Sequence, residues 1–202
     1  MLSFRYHSTN CFFLRSEATG RLLAVDAGWP CTLFEYARMM KTIGCQLEQI
    51  EWAVVTHFHM DHAGLVGEFQ ARGITCFALE NQRGAVEPME RTILKNRAEY
   101  KDYRKIDAAR LRHLESAESG RLLSGLGIRA SVIVTDYHSP DSITLVTDGA
   151  EAIVGDLPPL GHMMPGDERF LESWRRVWDA GARAIFPSHA AAFQLEEPGR
   201  PQ

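Results

Sequence analysis

Short apolar runs bounded by glycine, aspartate and proline recur along the chain, alternating with stretches whose apolar residues return every three or four positions. Residues 3–15 read as an opening pair of strands, densest at Cys11-Phe12-Phe13-Leu14, with Asn10 turning the chain before it. Residues 21–25 read as a short strand ending in Asp26-Ala27-Gly28. Leu33, Phe34, Ala37 and Met40 then predict one face of a helix over 31–43, stopped by Gly44. A strand at 51–56, a helix at 64–72 closed by Gly73 and a strand at 74–79 make a βαβ-like unit. Further along, 128–135 reads as a strand, and 143–146 and 151–154 as a hairpin turning at Asp148-Gly149. Asp167 caps a helix to 180 whose inner face is Phe170, Leu171, Trp174, Val177 and Trp178. A last strand covers 184–186, and 196–202 read as a frayed tail.

Residues 81–117 break this rhythm. From Glu90 to Glu115 there is no Gly or Pro, and the segment predicts a helical insertion. It is rich in Lys and Arg between Arg91 and Arg112, with sparse apolar positions at Ile93, Leu94, Tyr100, Tyr103, Ile106 and Leu111. Those positions suit a surface helix, or a cap placing Tyr100, Tyr103 or the arginines beside a substrate.

The densest chemistry follows the strand at 51–56. His57-Phe58-His59-Met60-Asp61-His62 puts three imidazoles and a carboxylate into six residues. A metal-binding helix offers histidines at i and i+4, whereas His57 and His59 are two apart and share a face only on an extended chain. The pair therefore leaves a strand tip side by side, and Asp61 and His62 face elsewhere, with room for a second ion. Imidazole and carboxylate together suit zinc first, and iron or manganese as alternatives.

This motif resembles the signature of the metallo-β-lactamase superfamily. The resemblance implies an α/β (α+β) fold arranged as a four-layered αββα sandwich, one domain spanning 1–202. It also implies three further ligands in order, and the chain offers His138 after the strand at 128–135, Asp156 after the hairpin and His189 after the last strand. Carried over residue by residue, His57, His59 and His138 would hold one ion, and Asp61, His62 and His189 a second, with Asp156 bridging. Asp26 would support the metal site from behind, although alone it reads as a turn residue. Relatives often carry Gly before the third and last histidines. Here Tyr137 puts a phenol near the metals, and Ser188 is a small substitution.

The resemblance further implies two divalent ions and a metal-activated hydroxide that hydrolyses an ester, lactone or thioester, with Asp61 as ligand and as acceptor orienting the nucleophile. A phosphodiesterase or nuclease and a single-iron sulfur dioxygenase are the competing readings. Substrate contacts would come from loops near Asn10, Trp29, 81–117 and His162, the last a loop histidine by its surroundings. The net charge of −4 argues against a general nucleic-acid partner and leaves a small molecule as the expected substrate. No apolar run is long enough to cross a membrane, and Cys11, Cys31, Cys45 and Cys76 read as buried thiols, so the expected location is the cytoplasm.

Overall fold

The computed structural model describes residues 1–96, 98–162, 164 and 166–197. Eleven strands build two sheets among the described residues. The first contains β1 (Leu2–Tyr6), β2 (Thr9–Arg15), β3 (Leu22–Val25), β4 (Ile50–Val54), β5 (Thr75–Leu79) and β6 (Arg112–Leu114), side by side in that order. Its first three strands are antiparallel, and β3 to β6 run parallel. The second contains β7 (Ala130–Val134), β8 (Ile143–Thr147), β9 (Glu151–Gly155), β10 (Ala184–Pro187) and β11 (Phe193–Gln194), again in sequence order. There β9 and β10 are the parallel pair.

Alternation along the strands divides the core into three apolar layers. Phe12, Leu14, Leu23, Val25, Trp52, Val54, Phe77 and Leu79 face the second sheet and meet Val132, Ile143, Leu145 and Ile153. The intervening residues Cys11, Phe13, Leu22, Ala24, Ala53, Cys76 and Ala78 face outward onto α1 (Leu33–Thr42), α3 (Val66–Ala71) and α4 (Val86–Lys95). On the other side, Val146, Ala152, Val154 and Ile185 pack on Phe170, Trp174 and Val177 of α6 (Glu168–Asp179). Helix, sheet, sheet, helix is the layering that the family resemblance implies. Asp167 caps α6, its carboxylate accepting from the Phe170 amide at 3.1 Å.

Several local expectations are corrected. The predicted helix at 64–72 is α3, and a short helix not foreseen, α2 (Met60–Ala63), precedes it, so the motif itself starts the helical turn. On α1 the buried residues are Tyr36 and Met40, while Phe34 is 94% exposed. Two residues correspond to a rotation of about 200° on a helix, so Phe34 and Tyr36 point to opposite sides. Cys31 is exposed, unlike the other three cysteines.

The segment 81–117 is not one helix. Only α4 is helical as expected; Arg112–Leu114 pairs as β6, and a helix not foreseen, α5 (Ser116–Gly125), follows it. Between α4 and β6 the chain crosses α3 as irregular backbone because Gly67 leaves room for it. A Cβ at Gly67 would stand 2.2 Å from the Arg104 carbonyl oxygen. Gln70 fixes the crossing by accepting from the Asp107 amide at 2.9 Å and donating to the Asp107 carbonyl at 3.0 Å. Glu90 accepts from the Ile106 amide at 2.8 Å and from the Tyr103 hydroxyl. Ile106 and Leu111 complete the outer apolar layer. Of the basic residues, Arg91 pairs with Glu87, Arg104 with Glu68, and Arg110 donates to the Gln70 carbonyl, while Arg97 lies outside the described residues. The expected tail at 196–202 lies outside them from residue 198 onward.

Candidate metal centre

Five strand ends deliver the polar residues to one rim of the sandwich. Asp26 follows β3, His57 to His62 follow β4, His138 follows β7, Asp156 follows β9 and His189 follows β10. Backbone bonds clamp the sheets together there, Ile143 donating to the Thr56 carbonyl at 2.8 Å and Asn10 to the Ser188 carbonyl at 2.7 Å. Gly155 is needed at this junction. It has φ of +59°, and a Cβ there would stand 2.7 Å from the Thr56 hydroxyl.

The seven predicted ligand side chains converge as two groups. In one, His57 Nε2 lies 2.9 Å from His59 Nδ1, which lies 3.3 Å from His138 Nε2. Asp156 Oδ2 closes this group at 3.5 Å from His138 Nε2 and 3.8 Å from His57 Nε2. In the other, Asp61 Oδ2 lies 3.2 Å from His62 Nε2 and 3.1 Å from His189 Nε2. Asp156 Oδ1 is 3.3 Å and 3.2 Å from the same two nitrogens. Donor atoms on one tetrahedral zinc ion, each 2.0–2.1 Å from it, stand roughly 3.4 Å apart. Both groups match that spacing, and the two oxygens of Asp156 face one group each. His62 Nε2 and Asp156 Oδ1 are buried without a hydrogen-bond partner. A cation between them satisfies both, so the residues present fit a pair of divalent ions.

The backs of the imidazoles are held so that the lone pairs point inward. His62 Nδ1 is 2.9 Å from Asp26 Oδ2, His57 Nδ1 is 3.2 Å from the Thr56 hydroxyl, and His189 Nδ1 donates to the Ser8 carbonyl at 3.0 Å. Asp26 is fully buried and also accepts from the Thr56 amide at 2.7 Å, the Thr56 hydroxyl at 3.0 Å and the Ser188 hydroxyl at 3.2 Å. It is far more than a turn residue.

Electrostatics follow from this crowding. Burial, reinforced by His62, pushes the His57 imidazole down to about 2. Burial likewise lowers His138. Burial alone would raise Asp61 and Asp156, but the close imidazoles of His189 and His62 outweigh it and hold both carboxyls well below the usual range. His62 moves the other way: burial opposes its charge, yet Asp26 and the nearby carboxylates of Asp156 and Asp61 raise it. The close carboxylates of Asp156 and Asp61 push His189 up to about 10. Without ions, protons on His62 and His189 therefore take the place of cations. A dication must displace them, so binding releases protons and weakens as pH falls. Zinc titration at pH 7 in dilute buffer is expected to release about two protons per chain, read with a pH indicator. Binding without proton release contradicts this.

Other residues hold the site that the sequence did not single out. Asp141 accepts from the Phe58 amide at 2.6 Å and the Ser139 hydroxyl at 2.7 Å, tying the loop of His57 and His59 to that of His138. Asp141→Ala is expected to weaken ion binding at the His57–His59–His138 group by about tenfold to a hundredfold, measured by competition with a chelating dye. Thr9 donates to Asp61 at 3.3 Å and receives the Trp29 indole N–H at 3.2 Å. Asn10 lies within β2, not at a turn, and its amide donates to the carbonyls of Pro187 and Ala190, steadying the His189 loop. The legible signal was a hydroxyl residue before a histidine at two strand tips, Thr56-His57 and Ser188-His189. Tyr137 does not crowd the centre as expected: its ring packs edge-on to Phe170 at 5.0 Å and its hydroxyl donates to Asp167 at 2.7 Å, because α6 offers both an apolar face and an acceptor. His162 is exposed.

No described helix is long and apolar enough to cross a membrane. A search of curated proteins gives no significant sequence match. Among solved structures, the chain is similar to a metallo-beta-lactamase family protein from Thermus thermophilus, with TM-score 0.70, 19% identity, and 96% of this chain and 73% of that one covered. It is also similar to an archaeal metallo-beta-lactamase superfamily protein from Sulfolobus tokodaii, with TM-score 0.63, 18% identity and coverage of 92% and 75%. A third neighbour, solved in a di-iron-bound form, gives TM-score 0.64, 18% identity and coverage of 96% and 93%. At these identities the likeness is one of fold. The sequence model of the metallo-beta-lactamase superfamily matches residues 5–189, and the chain belongs to that superfamily.

Proposed function

We propose that this protein is a hydrolase that uses two divalent metal ions, zinc first, to cleave an ester, lactone or thioester of a small molecule. The observation that carries the reading is the pairing of two donor groups across the two oxygens of Asp156. His57, His59 and His138 would hold one ion, Asp61, His62 and His189 the other, and Asp156 would join them. Ions bound there supply Lewis acidity and lower the pKa of water toward neutrality. The protein's part is orientation and charge. Asp61, kept ionised by its neighbours, accepts a hydrogen bond from the attacking water and aligns it with the scissile carbonyl. Asp26, Thr56 and Asp141 keep the imidazoles in place, so little reorganisation is needed when negative charge builds up.

A di-iron-bound neighbour makes iron the second metal to test. Free cysteines suit a reducing, cytoplasmic setting. The test is a panel of esters, lactones and thioesters, with bis-p-nitrophenyl phosphate as contrast, given to protein loaded in turn with zinc, iron and manganese. Hydrolysis of at least one carbonyl class that disappears in His59→Ala is expected. Turnover of the phosphodiester alone, or undiminished activity in His59→Ala, contradicts the reading.

A further inference from the structure

A cleft of about 440 Å³ opens beside His59. Phe58, Ala85, Pro88, Met89 and Pro140 give it apolar walls, and Arg83 is the cationic side chain among its lining residues. We propose that this cleft binds an apolar arm of the substrate and that Arg83 pairs with an anion carried by that arm. The inference rests on the hydrolase reading above and names the substrate class: an ester, lactone or thioester with a remote carboxylate or similar anion.

Three observations support it. First, His59 itself lines the cleft together with Ser139 to Asp141, which directly follow His138, so the cleft borders the group of His57, His59 and His138. Second, the walls are built and fixed. Asn81 donates to the carbonyls of Pro140 and Ser142 at 3.1 and 3.2 Å. Gln82 donates to those of Val55 and Asp141 at 2.9 and 3.1 Å. These bonds tie the cleft to the strand that delivers the first histidine and to the loop that follows His138, so a ligand meets a preformed surface. Third, the charges leave Arg83 available. Both oxygens of Asp141 are committed to the Phe58 amide and the Ser139 hydroxyl. The partner of Arg83 is Glu115 at 3.0 Å, with side chains 59% and 53% exposed. An exposed pair of this kind contributes little, so a carboxylate held in the cleft can take over the guanidinium cheaply. Another cleft, beside Trp29 and Tyr100, carries an acid instead, Glu99.

The test uses metal-loaded full-length protein and two matched ester pairs. One pair is p-nitrophenyl hexanoate and mono-p-nitrophenyl adipate, with the anion on the acyl side. The other is phenyl acetate and its para-carboxylate, with the anion on the alcohol side. In one pair the carboxylate is expected to lower KM about threefold to fivefold, and Arg83→Ala removes that difference. Thr92→Trp, which fills the cleft from an exposed position, raises KM for the preferred ester. Arg91→Ala, whose side chain pairs with Glu87 and is absent from the cleft lining, keeps the preference. Calorimetric binding of phenylpropanesulfonate, an apolar chain with a weakly metal-ligating anion, gives a readout independent of turnover and is expected to weaken in both cleft variants. A preference for the neutral ester in both pairs, or a carboxylate preference and sulfonate binding that survive Arg83→Ala, overturns the proposal. Absence of all hydrolysis would defeat the hydrolase reading, while the sulfonate titration still decides the cleft.

Discussion

Asp156→Ala is expected to abolish turnover, by about a thousandfold or more in kcat, and to strip metal from both groups at once. Among the described residues it is the one carboxylate whose oxygens lie within 4 Å of imidazole nitrogens of both groups. Its Oδ1 lies 3.2–3.3 Å from His189 and His62, and its Oδ2 lies 3.5–3.8 Å from His138 and His57. Two dications held there would repel one another, and the carboxylate would be the protein's anion between them. His59→Ala should behave differently. His59 is exposed and belongs to one group only, so that variant should keep its fold and lose one ion. Metal content by mass spectrometry of the native protein, alongside kcat, checks both. Two tightly bound ions in Asp156→Ala would show that the bridge is misassigned.

Asp26 carries the second large expectation. Its alanine variant should lose about 3–5 kcal/mol of stability in denaturant unfolding. Its fully buried carboxylate collects the Thr56 amide, the Thr56 and Ser188 hydroxyls and His62 Nδ1, all left without their acceptor. The backbone adds a second reason, since Asp26 sits at φ of +69°, a region that Asp and Asn tolerate better than Ala. Asp26→Asn separates packing from chemistry. It fits the same backbone and keeps an acceptor for Thr56, so it should destabilise less. Its amide N–H would instead face His62 Nδ1 and shift that imidazole's proton to Nε2, among Asp61, Asp156 and His189. Metal affinity of that group should fall about tenfold to a hundredfold while the fold persists. Stability and metal affinity both at wild-type levels in Asp26→Asn would refute this role.

Much of the fold was legible because the first sheet is covered on both faces. Its strands read as unbroken apolar runs, as in Cys11-Phe12-Phe13-Leu14 and Trp52-Ala53-Val54. The strand-tip position of His57 and His59 followed from their spacing of two. His138, Asp156 and His189 were different. Each alone is an ordinary polar residue, and their grouping rested on the family resemblance; the folded chain brings their donor atoms within reach of the first motif.

What stayed hidden depends on contacts between distant segments. Glu90 to Glu115 lacks Gly and Pro, and local propensity favours helix. A glycine on another element, Gly67, instead lets its backbone settle flat across α3. Asp141 sits in a Ser-Pro-Asp-Ser stretch that carries no local sign of a role, and only the approach of the Phe58 amide gives its carboxylate a task. Tyr137 was misplaced for a similar reason, because Asp167 and Phe170 lie beyond the hairpin in sequence but under the phenol in space.

The most direct test is anomalous diffraction at the zinc, iron and manganese edges from crystals of protein soaked in each metal. Two peaks are expected, one enclosed by His57, His59, His138 and Asp156, the other by Asp61, His62, His189 and the same Asp156. Peaks elsewhere, or none with any of the three metals, would contradict the idea that these seven side chains form a metal centre.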